Sequence, residues 1–464
     1  MTTPLHERGP RQGLLPTHTR PRRTRGALLL AAFIAGLAGC AKPTAGPTAD
    51  RSVEESQAPQ TKAPSDQARA EAARNWPLFR GPLGTGVATV SDAPTTWDAA
   101  SGEGILWKSP IDLPGQSSSI VWEDRVFITG ADEHTRALYC FDAHTGERLW
   151  RRTPPALEQQ HAEELVVPEL TGLGAPTPAT DGKRVFALFG TGELLCADFE
   201  GKHLWHKRFD VSQNRYGHAS SPVVYGDVVL LLLDQDDEEG AQSALLALSV
   251  KDGREVWRAD RQVPSSWSTP IVINAGAREE IITAAAPAVI AYDPADGNEL
   301  WRADCLGGDV GPSPTFAAGM VFAANVYSNL AAIRPGGSGD VTATHVAWTA
   351  QDSLPDTCSP VSDGKLVWIL ASEGILTCLD AATGEFIWEH EFGMRFLSSP
   401  TLVGDRLYLL SETGAAFVIR AGSQFEQLSR SQIGEYTACC PAFVDNRIYI
   451  RGDGHLFCIG KATD

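Results

Sequence analysis

One short phrase recurs along this chain, and its spacing limits the fold to stacked copies of a single unit. The clearest copies run from Asp142 to Trp150 (Asp-Ala-His-Thr-Gly-Glu-Arg-Leu-Trp) and from Asp380 to Trp388 (Asp-Ala-Ala-Thr-Gly-Glu-Phe-Ile-Trp). Asp293 to Trp301 and Ser249 to Trp257 are further copies, and Asp198 to Trp205 is one residue shorter. In all five a glycine stands four residues before the tryptophan: Gly146, Gly201, Gly253, Gly297 and Gly384 before Trp150, Trp205, Trp257, Trp301 and Trp388. Trp107 and Trp348 end weaker copies. A repeat of this period means supersecondary units that bury their apolar faces only against one another.

Each unit has a constant grammar. It opens on a small residue and proline, as in Ser221-Pro222, Thr269-Pro270, Ser313-Pro314, Ser359-Pro360 and Ser399-Pro400. Two short β-branched or aromatic runs follow, then the Asp-x-x-Thr-Gly turn, then a run carrying the tryptophan. Such runs bounded by Gly and Asp are strands and hairpins. The reading is all-β: four antiparallel strands per unit, arranged radially as a β-propeller, with the tryptophan on the outermost strand filling the space between blades. Eight units begin near Ser117, Ala175, Ala219, Ser266, Gly311, Thr357, Leu397 and Thr437; seven blades is the alternative count. The seventh unit lacks the tryptophan, with Leu428 near its place, and the eighth has only three strands. The strand around Gly104–Lys108 is expected to complete it, closing the ring and removing its edges.

The Ala-x-Thr-Gly-Glu-x-φ-Trp phrase resembles the tryptophan-docking signature of quinoprotein-type eight-bladed propellers. Those include pyrroloquinoline quinone (PQQ) dehydrogenases and the outer-membrane assembly factor BamB. Trp76-Pro77-Leu78-Phe79-Arg80-Gly81-Pro82, Ile105-Leu106-Trp107-Lys108 and Gly217-His218-Ala219-Ser220-Ser221-Pro222 sharpen the likeness to PQQ-binding-like, BamB-like propellers common in planctomycetes. The resemblance spans residues 76–464 and implies either an interaction scaffold or a PQQ- and Ca²⁺-dependent dehydrogenase.

The first 75 residues read differently. Arg20, Arg22, Arg23 and Arg25 precede an apolar run, Gly26 to Gly36, too short to span a bilayer. Leu37-Ala38-Gly39-Cys40 then matches a bacterial lipobox, so residues 1–39 are expected to be a signal peptide and Cys40 the lipidated residue. Residues 40–75, almost free of large apolar side chains, are expected to be a disordered tether, and 76–464 the propeller.

The chain carries 39 basic and 57 acidic residues, for a net −18. Six arginines and one acid precede Cys40, so the remainder holds 33 basic against 56 acidic residues, a net −23. That repels nucleic acid and anionic lipid, and leaves the lipid anchor as the membrane contact; the BamB-like resemblance implies an envelope protein partner, and the protein is expected to be monomeric. The acidic run Asp234 to Gly240 departs from the EF-hand pattern and reads as a solvated hairpin tip. Cys140, Cys196, Cys378 and Cys458 share one repeat register and read as small buried hydrophobes. Cys358 and Cys439 share another, at the start of an inner strand, where they would line the central channel.

The one feature favouring an enzyme is Cys439-Cys440, because PQQ dehydrogenases carry a vicinal disulfide against the quinone. The context argues against it: the pair lies in the last blade, inside the repeat grammar, without a family-like set of Ca²⁺ ligands. No catalytic residue, cofactor or metal is therefore expected. His203 and His206, three apart on a strand, are expected on opposite faces. Asp142, Asp293 and Asp380 read as turn formers. The longest connection, Thr153 to Gly174, is the expected specificity loop of a non-catalytic scaffold.

Overall fold

A computed structural model describes residues 61–155, 167, 171–236 and 242–461. Cys40, the signal peptide, most of the long connection and the end of the acidic run lie outside the described residues. Eight antiparallel four-stranded sheets follow one another, as the repeat requires. The first blade has strands Ile120–Trp122, Arg125–Ala131, Arg136–Asp142 and Arg148–Arg152, from inside to outside. Two blades gain a fifth strand: Gly339–Asp340 adds parallel to the outer edge of the fourth, and Val87–Ala88 adds parallel to the inner edge of the seventh.

The ring closes as the orphan Trp107 suggested. Ile105–Pro110 is the outer strand of the eighth blade, pairing with His455–Ile459, and Trp107 stands opposite Cys458. The other three register cysteines also face docking tryptophans across their strand pairs: Cys140 with Trp150, Cys196 with Trp205 and Cys378 with Trp388. All eight cysteines among the described residues are buried and unpaired.

Each tryptophan reaches across to the next blade. The indole N–H groups of Trp107, Trp150, Trp205, Trp257, Trp348 and Trp388 donate to turn carbonyls of Ala143, Phe199, Val250, Pro294, Ala381 and Gly422. The turn glycine serves both the turn and the tryptophan. Gly297 has φ +76°, and a Cβ there would lie 2.5 Å from the Trp257 ring. The aspartates form the turn: Asp142 Oδ1 accepts from the amides of His144 and Thr145, and Asp380 Oδ1 does the same in the sixth blade. Trp301 is the exception. It donates to the buried carboxylate of Glu280 at 2.8 Å, and Gly339 of the added strand pairs opposite it.

Three local expectations change. In the seventh blade Ser429, not Leu428, holds the tryptophan register opposite Val418, because the bulge skips Leu428. Trp97, 4% exposed, packs in the same core region, beside Gly104 at the seam. Residues 66–73, assigned to the tether, form a helix: the stretch is alanine-rich, and Ser65 caps it by accepting from the Ala68 amide. Asp234 is no solvated tip. It makes a fully buried bidentate ion pair with Arg261 (2.8 and 3.2 Å) and accepts a bond from Ser266, the satisfied state that a buried charge requires.

Candidate functional site

The small-residue-proline openings converge on the channel. A residue before proline is held extended, and proline offers no N–H to the channel wall. What remains is one amide and one small polar side chain per blade, and these join into a belt. The amide of Ser118 donates to Thr177 Oγ1, Thr177 to Ser221, Ser221 to Thr269, Thr269 to Ser313, Ser313 to Ser359, and Ser359 to Ser399, all at 2.9–3.0 Å. Ser399 donates to Cys440 Sγ at 3.3 Å, and the Cys440 amide donates to Ser118 Oγ at 2.9 Å, completing the circle. All eight residues line one cavity of about 520 Å³. Cys440, not Cys439 or Cys358, is therefore the cysteine on the channel wall; it is the thiol member of a hydroxyl ring.

One end of the channel is filled by the segment that carries the tryptophan-proline motif. Trp76 pairs with Val121 on the first blade's inner strand and packs against Phe443 of the eighth. Phe79 lines the cavity, while Arg80 is fully buried and donates to the carbonyls of Pro360 (2.6 Å) and Thr85 (3.1 Å). Gly86 is required here, since a Cβ would meet the Arg80 guanidinium at 2.6 Å. Burial pulls Arg80 down to about 10, against the opposing influence of the nearby Cys440 and Cys358 thiols.

Among the described residues, the other end is open. Tyr216 and Trp267 form an aromatic pair with ring centroids 5.0 Å apart, and Trp267 Nε1 is held by Asn214 Oδ1 and the Gly217 carbonyl, both at 2.9 Å. Asp309 accepts from Tyr216 at 3.3 Å and lies 3.7 Å from Arg215. Asp356 accepts from Ser372. His218, in the motif that enters the third blade, bonds the Ser220 carbonyl at 2.9 Å, and burial lowers it to about 4, so it is neutral at pH 7.

These groups do not fit PQQ with Ca²⁺. The quinone is a tricarboxylate, and among the described residues the cavity offers it hydroxyls, Asp309 and Asp356 but no lysine or arginine. Among the described residues no group of three His, Cys, Asp or Glu is placed to hold a metal ion. Burial raises Cys439 to about 11, partly opposed by Arg451, which keeps it a thiol at neutral pH. Sequence reasoning located the belt positions as blade openings but missed the belt, because its bonds join residues 40 to 59 positions apart, and 322 apart where Cys440 meets Ser118. Tyr216 and Trp267 carried no signal beyond being aromatics in connections.

Ring, belt and docked tryptophans define a PQQ-like repeat β-propeller. The chain belongs to the family described as outer membrane protein assembly factor BamB, whose model matches residues 84–230, 138–273 and 241–463. Among solved structures, BamB from Moraxella catarrhalis is 16% identical with a TM-score of 0.56, over 77% of this chain and 99% of that one. Quinohemoprotein alcohol dehydrogenase from Comamonas testosteroni is 14% identical with a TM-score of 0.64, over 86% and 83%. The alcohol dehydrogenase ADHIIG from Pseudomonas putida HK5 is 13% identical with a TM-score of 0.61, over 86% and 82%. At these identities the likeness is one of fold, shared by non-enzyme and enzyme alike. No curated protein sequence matches the chain. Among the described residues no helix is long and apolar enough to cross a membrane.

Proposed function

We propose that this protein is a non-catalytic docking scaffold of the cell envelope, held as a monomer by a lipid on Cys40, that serves outer-membrane protein assembly. The observation that carries this reading is the belt. Every belt amide is already bonded to the next blade, so the cavity wall is a finished structural ring rather than a set of groups awaiting a substrate. The family supports a role in assembly, and loops held on a rigid ring are the usual place for partner recognition.

The rival reading, a PQQ dehydrogenase, is supported by the quinohemoprotein likeness and by Cys440 on the cavity wall. Titrating the purified protein with PQQ and Ca²⁺, following quinone absorbance and dye reduction, separates the two. The scaffold takes up no quinone and cross-links to an envelope protein in the native membrane. Stoichiometric uptake, lost when Cys439 and Cys440 are replaced, would overturn it.

A further inference from the structure

We propose that His203 and His206 form an open two-imidazole site for a borderline divalent metal ion, Zn²⁺ in the first instance. A regular strand would send residues three apart to opposite faces, and that expectation fails here. The outer strand of the second blade, His203–Arg208, contains a bulge: His203 pairs with Ala197 and Trp205 with Cys196, so Leu204 is the extra residue. Both imidazoles then emerge on one side. His203 Nε2 and His206 Nδ1 stand 3.2 Å apart, with ring centroids at 5.1 Å and ring planes inclined by 47°.

The rest of the ring shows that this placement belongs to the fold. The fourth blade has the same bulge, and its residues at the same register, Glu299 and Arg302, form a bidentate ion pair with both contacts at 2.7 Å. The positions two before and one after the docking tryptophan are thus neighbours, and the second blade fills both with metal-ligating side chains.

The spacing suits a metal. A tetrahedral ion with metal–nitrogen bonds of about 2.0–2.1 Å holds two ligand nitrogens about 3.3 Å apart. The pair now shares one hydrogen bond, and a cation would replace its proton. Among the described residues no third His, Cys, Asp or Glu completes a cluster. Two coordination positions are therefore left for water or for an atom from outside the chain. The site is on the outer strand, and neither histidine lines the central cavity.

Calorimetric titration of the full chain with ZnCl₂ tests this, beside His203→Gln and His206→Gln variants whose metal-free melting temperatures match the parent. The expected result is a saturable site that each variant weakens by more than about tenfold, with an X-ray absorption spectrum showing two imidazoles in the zinc shell. Absence of zinc binding to the parent, or equal affinity in either variant, would overturn it.

Discussion

On one face of the propeller the chain's own segment from Trp76 to Ala88 crosses the channel, touching the first, second, fifth, sixth, seventh and eighth blades. On the other face, among the described residues, the cavity opens with Tyr216 and Trp267 at its mouth. Both faces rest on the same inner strands. The closed one packs buried side chains against the ring, whereas the open one carries polar and aromatic groups at the cavity, among them Tyr216, Trp267 and Asp309.

Trp76→Ala should give the largest effect, because it removes a nearly fully buried ring from the closed face. Loss of about 3–5 kcal/mol is expected, read as a lowered denaturation midpoint; a midpoint within error of the parent would show that the segment is only an accessory. Gly297→Ala drives a Cβ into Trp257 at a positive φ and should cost about 1–3 kcal/mol by the same measurement. His218 sharpens the comparison from the open side. Its native value is lowered from 6.5 to about 4 by burial, so the unfolded chain binds the proton more readily. Its contribution is complete above pH 6.5 and is lost as pH falls toward 4. Stability should drop by about 1–2 kcal/mol more between pH 7 and pH 5 in the parent than in His218→Gln. Tyr216→Ala, half-exposed at the mouth, should move stability by less than about 0.5 kcal/mol yet reduce cross-linking to the partner; unchanged cross-linking would take the mouth out of the docking surface.

The eight blades and their closure were legible because the turn chemistry is local: an aspartate that bonds the amides ahead of it and a glycine with positive φ are written within five residues. What escaped reading depends on contacts between distant residues. The belt is spelled by eight unremarkable Ser, Thr and Cys residues and exists only when the blades are side by side. The His203–His206 pair depends on a bulge that appears only when the outer strand pairs with its neighbour. Asp234 shared the look of the acids after it, but Arg261, on the same blade's outer strand, draws it into the core. The helix at 66–73 is the local exception: low apolar content hides the helix propensity of its alanines and the cap at Ser65.

The eighth blade has a consequence for how the molecule is made. Apart from the short added strand Val87–Ala88, its outer strand, Ile105–Pro110, leaves the ribosome first among the blade strands, yet its partner His455–Ile459 is the last. Until that strand is delivered, Trp107 has no sheet to stand on, and the first and last blades meet as an open seam. Synthesis must therefore reach Ile459 before the circle can form, and long-range strand pairing of this kind is intrinsically slow. A C-terminal truncation ahead of His455 removes more than the end of one blade, because it also strands the beginning of the chain.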